Sequence, residues 1–410
     1  MKTLFELSKS GSKMGIAPEL TVSEYNFEGE FLTSQQTQLP ELDGIVLQKY
    51  YSDFLNEIQQ KEYDLIEEIG LDYQPDMGEQ LQNLSGFNGA HPLQKKRDIQ
   101  GTAHLIYSLQ EEVKGIMGAF YASLVAKSDE NAQLIVLKMV KKYHKTNGSE
   151  NRNQIVVCGD NALIGEHIAK NLGYELVRLK PDKNGFVSLQ NLESALNEKV
   201  ALVAVNVVNH LAQIDENATQ IAKLIAESGA LSYLCGEQFK PLFGIMRPID
   251  LGFDLVTLNL GIFANGWDCG VCAVCASERT FEYLPAPLAT RDRSGSFSLS
   301  VPEKSIGLSR TFSGNLNAMV RIHSYLAVLG RDGIRNLSEC AILNANYLAR
   351  TLEKVNAVKV GSCHDRFEFK SKNSNCANQK LKDGVIIKVS GTLSKEQLDD
   401  YANQIIQLQK

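Results

Sequence analysis

The central part of the chain alternates short apolar runs with stretches of helical spacing. The apolar runs lie at 155–158, 174–179, 200–206 and 230–234, and the amphipathic stretches between them lie at 165–172, 189–196 and 214–228. Short apolar strands separated by helices are typical of a mostly parallel sheet that is covered on both faces. The pattern therefore predicts an α/β domain built on such a sheet.

The flanking parts of the chain differ from this centre. Residues 1–45 show little periodicity and predict an extended arm, whereas apolar residues at helical spacing predict a helix from Asp43 to about Ile69. A further amphipathic helix is predicted from Gln100 onward, and the pattern changes again near residue 286. These changes predict an arm and helix over 1–65, a large domain over 66–285 and a smaller C-terminal domain over 286–410.

Composition and charge narrow the classes of function. The chain has 410 residues, 43% of them hydrophobic, and a formal net charge of -6, so it carries no basic footprint for nucleic acid. It contains no run of eighteen apolar residues and no apolar leader, which predicts no membrane partner and a cytoplasmic location. Its eight cysteines are then expected to be free thiols.

Several segments carry a resemblance to a known family. The two longest are Leu231-Ser-Tyr-Leu-Cys-Gly-Glu-Gln-Phe-Lys-Pro and Asp250-Leu-Gly-Phe-Asp-Leu-Val-Thr-Leu-Asn-Leu-Gly-Ile-Phe, and shorter ones lie at 86–94, 305–316 and 337–350. Together they resemble the β subunit, or C-terminal half, of the glycine cleavage system P-protein, a pyridoxal-phosphate (PLP) glycine decarboxylase. The resemblance implies a type I PLP-dependent transferase fold, aspartate aminotransferase-like, with a mostly parallel large domain and a smaller α+β C-terminal domain.

The same resemblance reveals two losses in the cofactor site. The His-Lys pair of the family, whose lysine binds the cofactor aldehyde, aligns with Gly261 and Ile262, just after a matching Asn259. Isoleucine has no nitrogen with which to form a Schiff base. The family aspartate that pairs with the pyridinium nitrogen aligns with Cys235, which is neutral unless its thiol ionises. No bound cofactor is therefore expected, although PLP is the cofactor of the resembling family.

Other family motifs around the cofactor are also altered. The histidine segment expected to stack on the ring aligns near Ala126-Lys-Ser-Asp-Glu-Asn, and the glycine-rich tract after the lysine becomes a stretch that contains Trp267. Lys240 and Lys127 border the altered site and are the candidate substitutes for the missing amine. The residues expected to line this vestigial pocket are Cys235, Lys240, Asn259, Gly261, Ile262 and Trp267.

Three cysteines raise the question of a metal site. Cys269, Cys272 and Cys275 are spaced as in iron–sulfur proteins, but no fourth cysteine follows before Cys340. In a strand, side chains three residues apart point to opposite faces, which prevents convergence on one metal ion. Buried packing cysteines are the preferred interpretation.

An architecture that matches the resembling family, with an altered cofactor site, predicts a protein that works by association. The resemblance implies a homodimer or a heteromer with a P-protein-like subunit, and a lipoyl carrier of the H-protein kind as a further partner. Two alternatives stay open. One is an active PLP-dependent glycine decarboxylase or dehydrogenase subunit that uses another amine, and the other is a repurposed pocket for a different small ligand.

Overall fold

The computed structural model describes the backbone of 66–69 and the ranges 95–159, 164–182, 185–209, 212–263, 269–310, 313–353, 365–369 and 385–408. The strands are β1 (Ile66–Ile69), β2 (Tyr121–Ala126), β3 (Gln154–Cys158), β4 (Glu175–Leu179), β5 (Val200–Val205), β6 (Leu231–Cys235), β7 (Leu255–Asn259), β8 (Cys272–Ala276), β9 (Leu288–Arg291), β10 (Phe297–Ser300), β11 (Arg366–Phe369) and β12 (Val385–Val389). The α-helices are α1 (Gln100–Met117), α2 (Asp129–Thr146), α3 (Glu166–Asn171), α4 (Leu189–Ala195), α5 (Ala218–Glu227), α6 (Leu316–Glu353) and α7 (Lys395–Leu408).

A seven-stranded sheet forms the centre of the molecule, in the order β2-β8-β7-β6-β5-β3-β4. Neighbouring strands from β7 to β4 are parallel, and β8 runs antiparallel to both β2 and β7. Every residue of β5 is buried because helices cover both faces of the sheet. Since β6 and β7 are parallel neighbours, their carboxyl ends lie side by side at the same end of the sheet.

Buried polar contacts fix the register of these two strands. The Asp254 carboxylate accepts hydrogen bonds from the Ser232 backbone N–H at 3.0 Å and from the Ser232 hydroxyl at 3.1 Å. The Arg279 guanidinium lies 3.6 Å from the same carboxylate. Since Asp254 is 6% exposed, these partners offset the cost of burying its charge.

A second, smaller sheet lies near the C-terminus. Its central strand β12 pairs with β1 in parallel and with β11 in antiparallel fashion. The long helix α6 packs against β12 and α7 with its second half, and it kinks at Gly330, where φ is +61°. Glycine adopts this left-handed conformation without a steric penalty from Cβ. The part of α6 before the kink packs against the core that includes α1, so α6 links the large domain to the C-terminal sheet.

The structure confirms the predicted strands and helices from 155 to 234, except that the helix predicted over 214–228 begins only at Ala218. The helix predicted from Asp43 to Ile69 is wrong over Ile66–Ile69, which forms β1. These four residues pair with β12, and that distant partner overrides the local helical spacing. The rest of that predicted helix and the arm over 1–45 lie outside the described residues. No helix in the described ranges is long and apolar enough to cross a membrane.

Candidate functional site

The candidate site lies where β6 and β7 end and α2 begins. The Asp129 carboxylate in the first turn of α2 accepts a hydrogen bond from the Asn259 side-chain amide at 3.3 Å. Its other oxygen lies 3.4 Å from the Cys272 sulfur, which donates to it. Cys272 is the register partner of Asn259 across β7 and β8. Three elements distant in sequence therefore meet at one carboxylate.

Ile262 lies in a short 3₁₀ helix, Leu260–Phe263, directly after β7. The Asn259 side-chain oxygen accepts a hydrogen bond from the Gly261 backbone N–H at 3.0 Å, which fixes the turn out of the strand. The Ile262 side chain is half-buried and packs against the apolar core. The turn that follows β7 is thus filled by hydrocarbon at residue 262.

Cys235 ends β6 beside this turn. Burial, together with the nearby Glu237 and Asp129 carboxylates, raises the pKa of its thiol to about 12. The thiol is consequently neutral over the physiological pH range. A neutral thiol lacks the negative charge that would keep a pyridinium nitrogen protonated.

Two carboxyl groups give the site an acidic character. Burial and the charge of Asp129 raise the pKa of Glu237 from 4.5 to about 7, although the Asn259 backbone N–H bonded to it lowers this pKa. The N-terminus of α2, which would favour a bound anion, already carries Asp129 and Glu130 in its first turn. Acidic side chains therefore lie both at the end of β6 and at the start of α2.

Both candidate substitute lysines lie close to this region. Lys240 lies in the 3₁₀ helix Gly236–Leu242 that follows β6, and it lines a cleft together with Ile262. Lys127 precedes α2 and is exposed, and its backbone N–H donates to the Asn131 side chain at 3.1 Å. The structure therefore brings Lys240 and Ile262 to one cleft. Trp267 lies outside the described residues.

The three closely spaced cysteines do not lie together. Cys272 packs in the core cluster on one face of the large sheet, whereas Cys269 and Cys275 pack in the cluster on the other face. Burial raises the pKa of the Cys275 and Cys272 thiols above their ordinary range. Within the described ranges, no group of three His, Cys, Asp or Glu side chains is placed to hold a metal ion.

Sequence reasoning missed the two carboxylates that define the site. Glu237 follows Cys235 by two residues, and Asp129 lies in the segment that aligns with the family's histidine motif. Each acid therefore lies next to a residue that differs from the family motif, and that proximity was the available signal. Their shared contact, Asn259, lies 130 residues from Asp129. Only the fold reveals that the two acids interact.

Comparisons with known proteins identify the relatives of this chain. An Aminotransferase class-V family profile matches residues 138–238. A Thermotoga petrophila protein named "Probable glycine dehydrogenase (decarboxylating) subunit 2" is 33% identical over 362 residues, which cover 86% of this chain and 75% of that protein. The chain belongs to the glycine dehydrogenase (decarboxylating) subunit 2 family. A Caldanaerobacter subterraneus family member with the same name is 29% identical over 99% of this chain and 91% of its own length.

Solved structures confirm the fold of this glycine dehydrogenase subunit 2 family member. An inhibitor-bound glycine decarboxylase (P-protein) superposes with a TM-score of 0.67 at 15% identity, covering 99% of both chains. A Burkholderia pseudomallei sphingosine-1-phosphate lyase superposes with a TM-score of 0.59, also at 15% identity, over 93% of this chain and 94% of its own. The predicted resemblance and the type I PLP-dependent transferase fold are both confirmed.

Proposed function

We propose that this chain is a glycine dehydrogenase (decarboxylating) subunit 2-like protein that performs no PLP chemistry and serves as a non-catalytic structural or regulatory subunit. Ile262 carries the proposal, since it places hydrocarbon directly after β7 where the resembling family has its lysine. Without an amine at this position the protein has no Schiff base to hold the cofactor and to exchange with an amino substrate. No cofactor is therefore expected to be retained.

The electrostatics of the surrounding groups support the same conclusion. The neutral thiol of Cys235 stands where the family has a carboxylate, and the Asp129 and Glu237 carboxyls lie nearby. A phosphorylated cofactor would bring additional negative charge beside these acids, which is unfavourable at such short range. Restoring a lysine alone would leave this unfavourable charge arrangement in place.

Association is the function that the intact fold allows. We expect a homodimer or a heteromer with a P-protein-like subunit, with a lipoyl carrier as a further partner and the cytoplasm as the location. The relatives are named as subunits, which supports an assembly. Sedimentation of the purified chain, alone and mixed with a lysine-containing P-protein-like subunit, tests this. A monomer under both conditions would contradict it.

A working enzyme that uses another amine is the second candidate. The observation that favours it is the position of Lys240, which lines the same cleft as Ile262. Schiff-base chemistry depends strongly on the position of the amine, so a lysine displaced onto a different loop has to reach the same point in space. Lys240 is therefore the residue to test.

The deciding experiment incubates the purified protein with excess PLP, removes free cofactor and records the near-ultraviolet and visible spectrum with and without borohydride. We expect no retained absorption band, and no lysine labelled after reduction, in the wild type and in Lys240→Gln. A band that reduction fixes to Lys240, and that Lys240→Gln loses, would overturn the proposal. A lysine-containing P-protein-like subunit, taken through the same procedure, is the positive control for detection of a retained band.

A further inference from the structure

The two halves of α6 belong to different hydrophobic cores. The half before Gly330 contributes fully buried side chains, among them Met319 and Ile322, to the core of the large sheet. The half after Gly330 contributes Leu348 and Leu352, also fully buried, to a separate core that it shares with β11, β12 and α7. The second half of α6, together with β1, β11, β12 and α7, therefore forms a C-terminal body with its own core.

Polar contacts hold each half of α6 to its own body. Before the kink, the His323 Nδ1 lies 2.8 Å from the Glu112 carboxylate of α1. After the kink, the Asn344 side-chain amide donates to the carbonyl oxygens of Ser390 and Leu393, which follow β12, at 3.0 Å and 3.1 Å. Each half is thus fixed to the sheet on its own side of the kink.

The backbone between the two halves is unusual at one residue. Gly330 has φ +61° and ψ -174°, a region that residues with a Cβ avoid and that essentially only glycine adopts. It is exposed, and no atom lies within 4 Å of the position that a Cβ would occupy, so neighbouring side chains do not clamp it. Hinges are the few positions that absorb large changes of φ and ψ while the bodies on either side stay rigid. Gly330 combines the free backbone and the open surroundings that such a position requires.

A narrow cleft separates the two bodies beside the kink. Phe243 and Ile262 line it from the large domain, and Leu337 and Ala341 line it from the second half of α6. The space that it encloses is ≈ 40 Å³, which leaves room only for water. Relative motion is the usual behaviour of two domains unless the interface between them is large and hydrophobic. A rotation at Gly330 would change the width of this cleft directly.

We propose that Gly330 is a hinge about which the C-terminal body turns, so that the cleft beside Ile262 opens and closes. The cleft is closed in this structure. The 3₁₀ helix Gly236–Leu242 contacts α6 and carries both Glu237 and Lys240, so movement of the C-terminal body reaches the candidate site through this helix. The inference goes beyond the proposed non-catalytic role and does not depend on it, because the hinge is a property of the backbone.

The experiment measures the distance between two spin labels in the full chain by pulsed electron paramagnetic resonance. One label is carried by the exposed Cys340 in the second half of α6, and the other by Lys138→Cys on the exposed face of α2. A reference pair within the large domain, Lys138→Cys with Lys223→Cys on α5 in a Cys340→Ser background, gives the width expected for a rigid body. In all samples three further cysteines are replaced with Ser, so that the unlabelled thiols are buried ones: Cys235, Cys363 and Cys376.

We expect the pair across Gly330 to show a second distance or a broad distribution, and the reference pair to show a single narrow one. Gly330→Ala should lower the ratio of closed to open molecules at least about fivefold, since a residue with a Cβ is disfavoured by about this factor in the closed conformation. Gly148→Ala, at another exposed glycine with φ +70° and open surroundings, is the matched control and should leave the distribution unchanged.

Two outcomes would overturn the proposal. One is a distribution across Gly330 that is as narrow as that of the reference pair, and the other is an unchanged distribution in folded Gly330→Ala. A shift of equal size in Gly148→Ala would assign the effect to general destabilisation and would also refute the hinge. If Gly330→Ala does not fold, the pair across the unsubstituted Gly330 decides alone.

Discussion

Glu237 makes the stability of the protein depend on pH near neutrality. Its pKa is raised from 4.5 to about 7 by burial and by the Asp129 charge. Because the folded pKa lies above the unfolded one, the stability that this group contributes is fully present below about pH 4.5 and is lost as the pH rises through about 7. Replacing Glu237 with Gln removes this loss, so the variant should gain stability over the wild type as the pH rises.

The structure sets the size of the effect. The difference between 4.5 and about 7 corresponds to at most about 3.4 kcal/mol, at 1.36 kcal/mol per pKa unit. Glu237 is only half-buried and water screens part of its charge, so about 1–2 kcal/mol is expected between pH 5 and pH 8. An effect of that size is a substantial fraction of the total stability of a domain.

The assay is urea unfolding of the wild type and of Glu237→Gln at several values between pH 5 and pH 8. Exposed Glu216→Gln is the control for the loss of one surface carboxyl group. The Asp129→Asn variant should move the pH-dependent loss to lower pH, since it removes the charge that helps to raise the Glu237 pKa. Parallel loss of stability in the wild type and in Glu237→Gln across this range would refute the reasoning.

Three further substitutions test how the sheet that carries the site is held, each by urea unfolding. Asp254→Ala should lower the free energy of unfolding by about 3 kcal/mol, because it removes the buried acceptor of two Ser232 hydrogen bonds; a loss below 1 kcal/mol would contradict this. Ser128→Ala should cost about 1 kcal/mol by removing the cap on the Asn131 N–H at the start of α2, and an unchanged midpoint would count against the cap. Gly236→Ala should cost about 1–3 kcal/mol, since an added Cβ would lie 2.7 Å from a backbone carbonyl oxygen of β7, and a neutral result would mean that the turn adapts freely.

The central sheet could be predicted from sequence because its signal is local. Val200–Val205 is apolar at every position, as a strand covered on both faces has to be, and it is the fully buried β5. Ile66–Ile69 shows the limit, because two isoleucines three residues apart fit a helix equally well and only pairing with β12 decides for a strand. Local pattern succeeds where burial is complete, and it fails where a distant partner sets the conformation.

The features of the candidate site could also be predicted from the sequence only in part. The place of Ile262 beside Lys240 could be predicted, since both residues directly follow recognisable strand segments. The acidic character could not, because Asp129 and Cys272 lie 143 residues apart and meet only when α2 is placed against the start of β8. The pKa of Glu237 depends on this same meeting, and no sequence pattern encodes the distance between two side chains.

The contacts that stabilise the central sheet lie largely apart from the groups of the candidate site. The sheet is stabilised by core side chains such as those of β5 and by the Asp254–Ser232 contacts, whereas Ile262 is only partly buried against this core and Glu237 is not part of it. The site groups lie at strand ends, where their cost is confined to about 1–2 kcal/mol from one carboxyl group of raised pKa. A protonated Glu237 removes most of that cost. The sheet therefore keeps its stability when the groups at these strand ends change, and Glu237 contributes a cost that depends on pH.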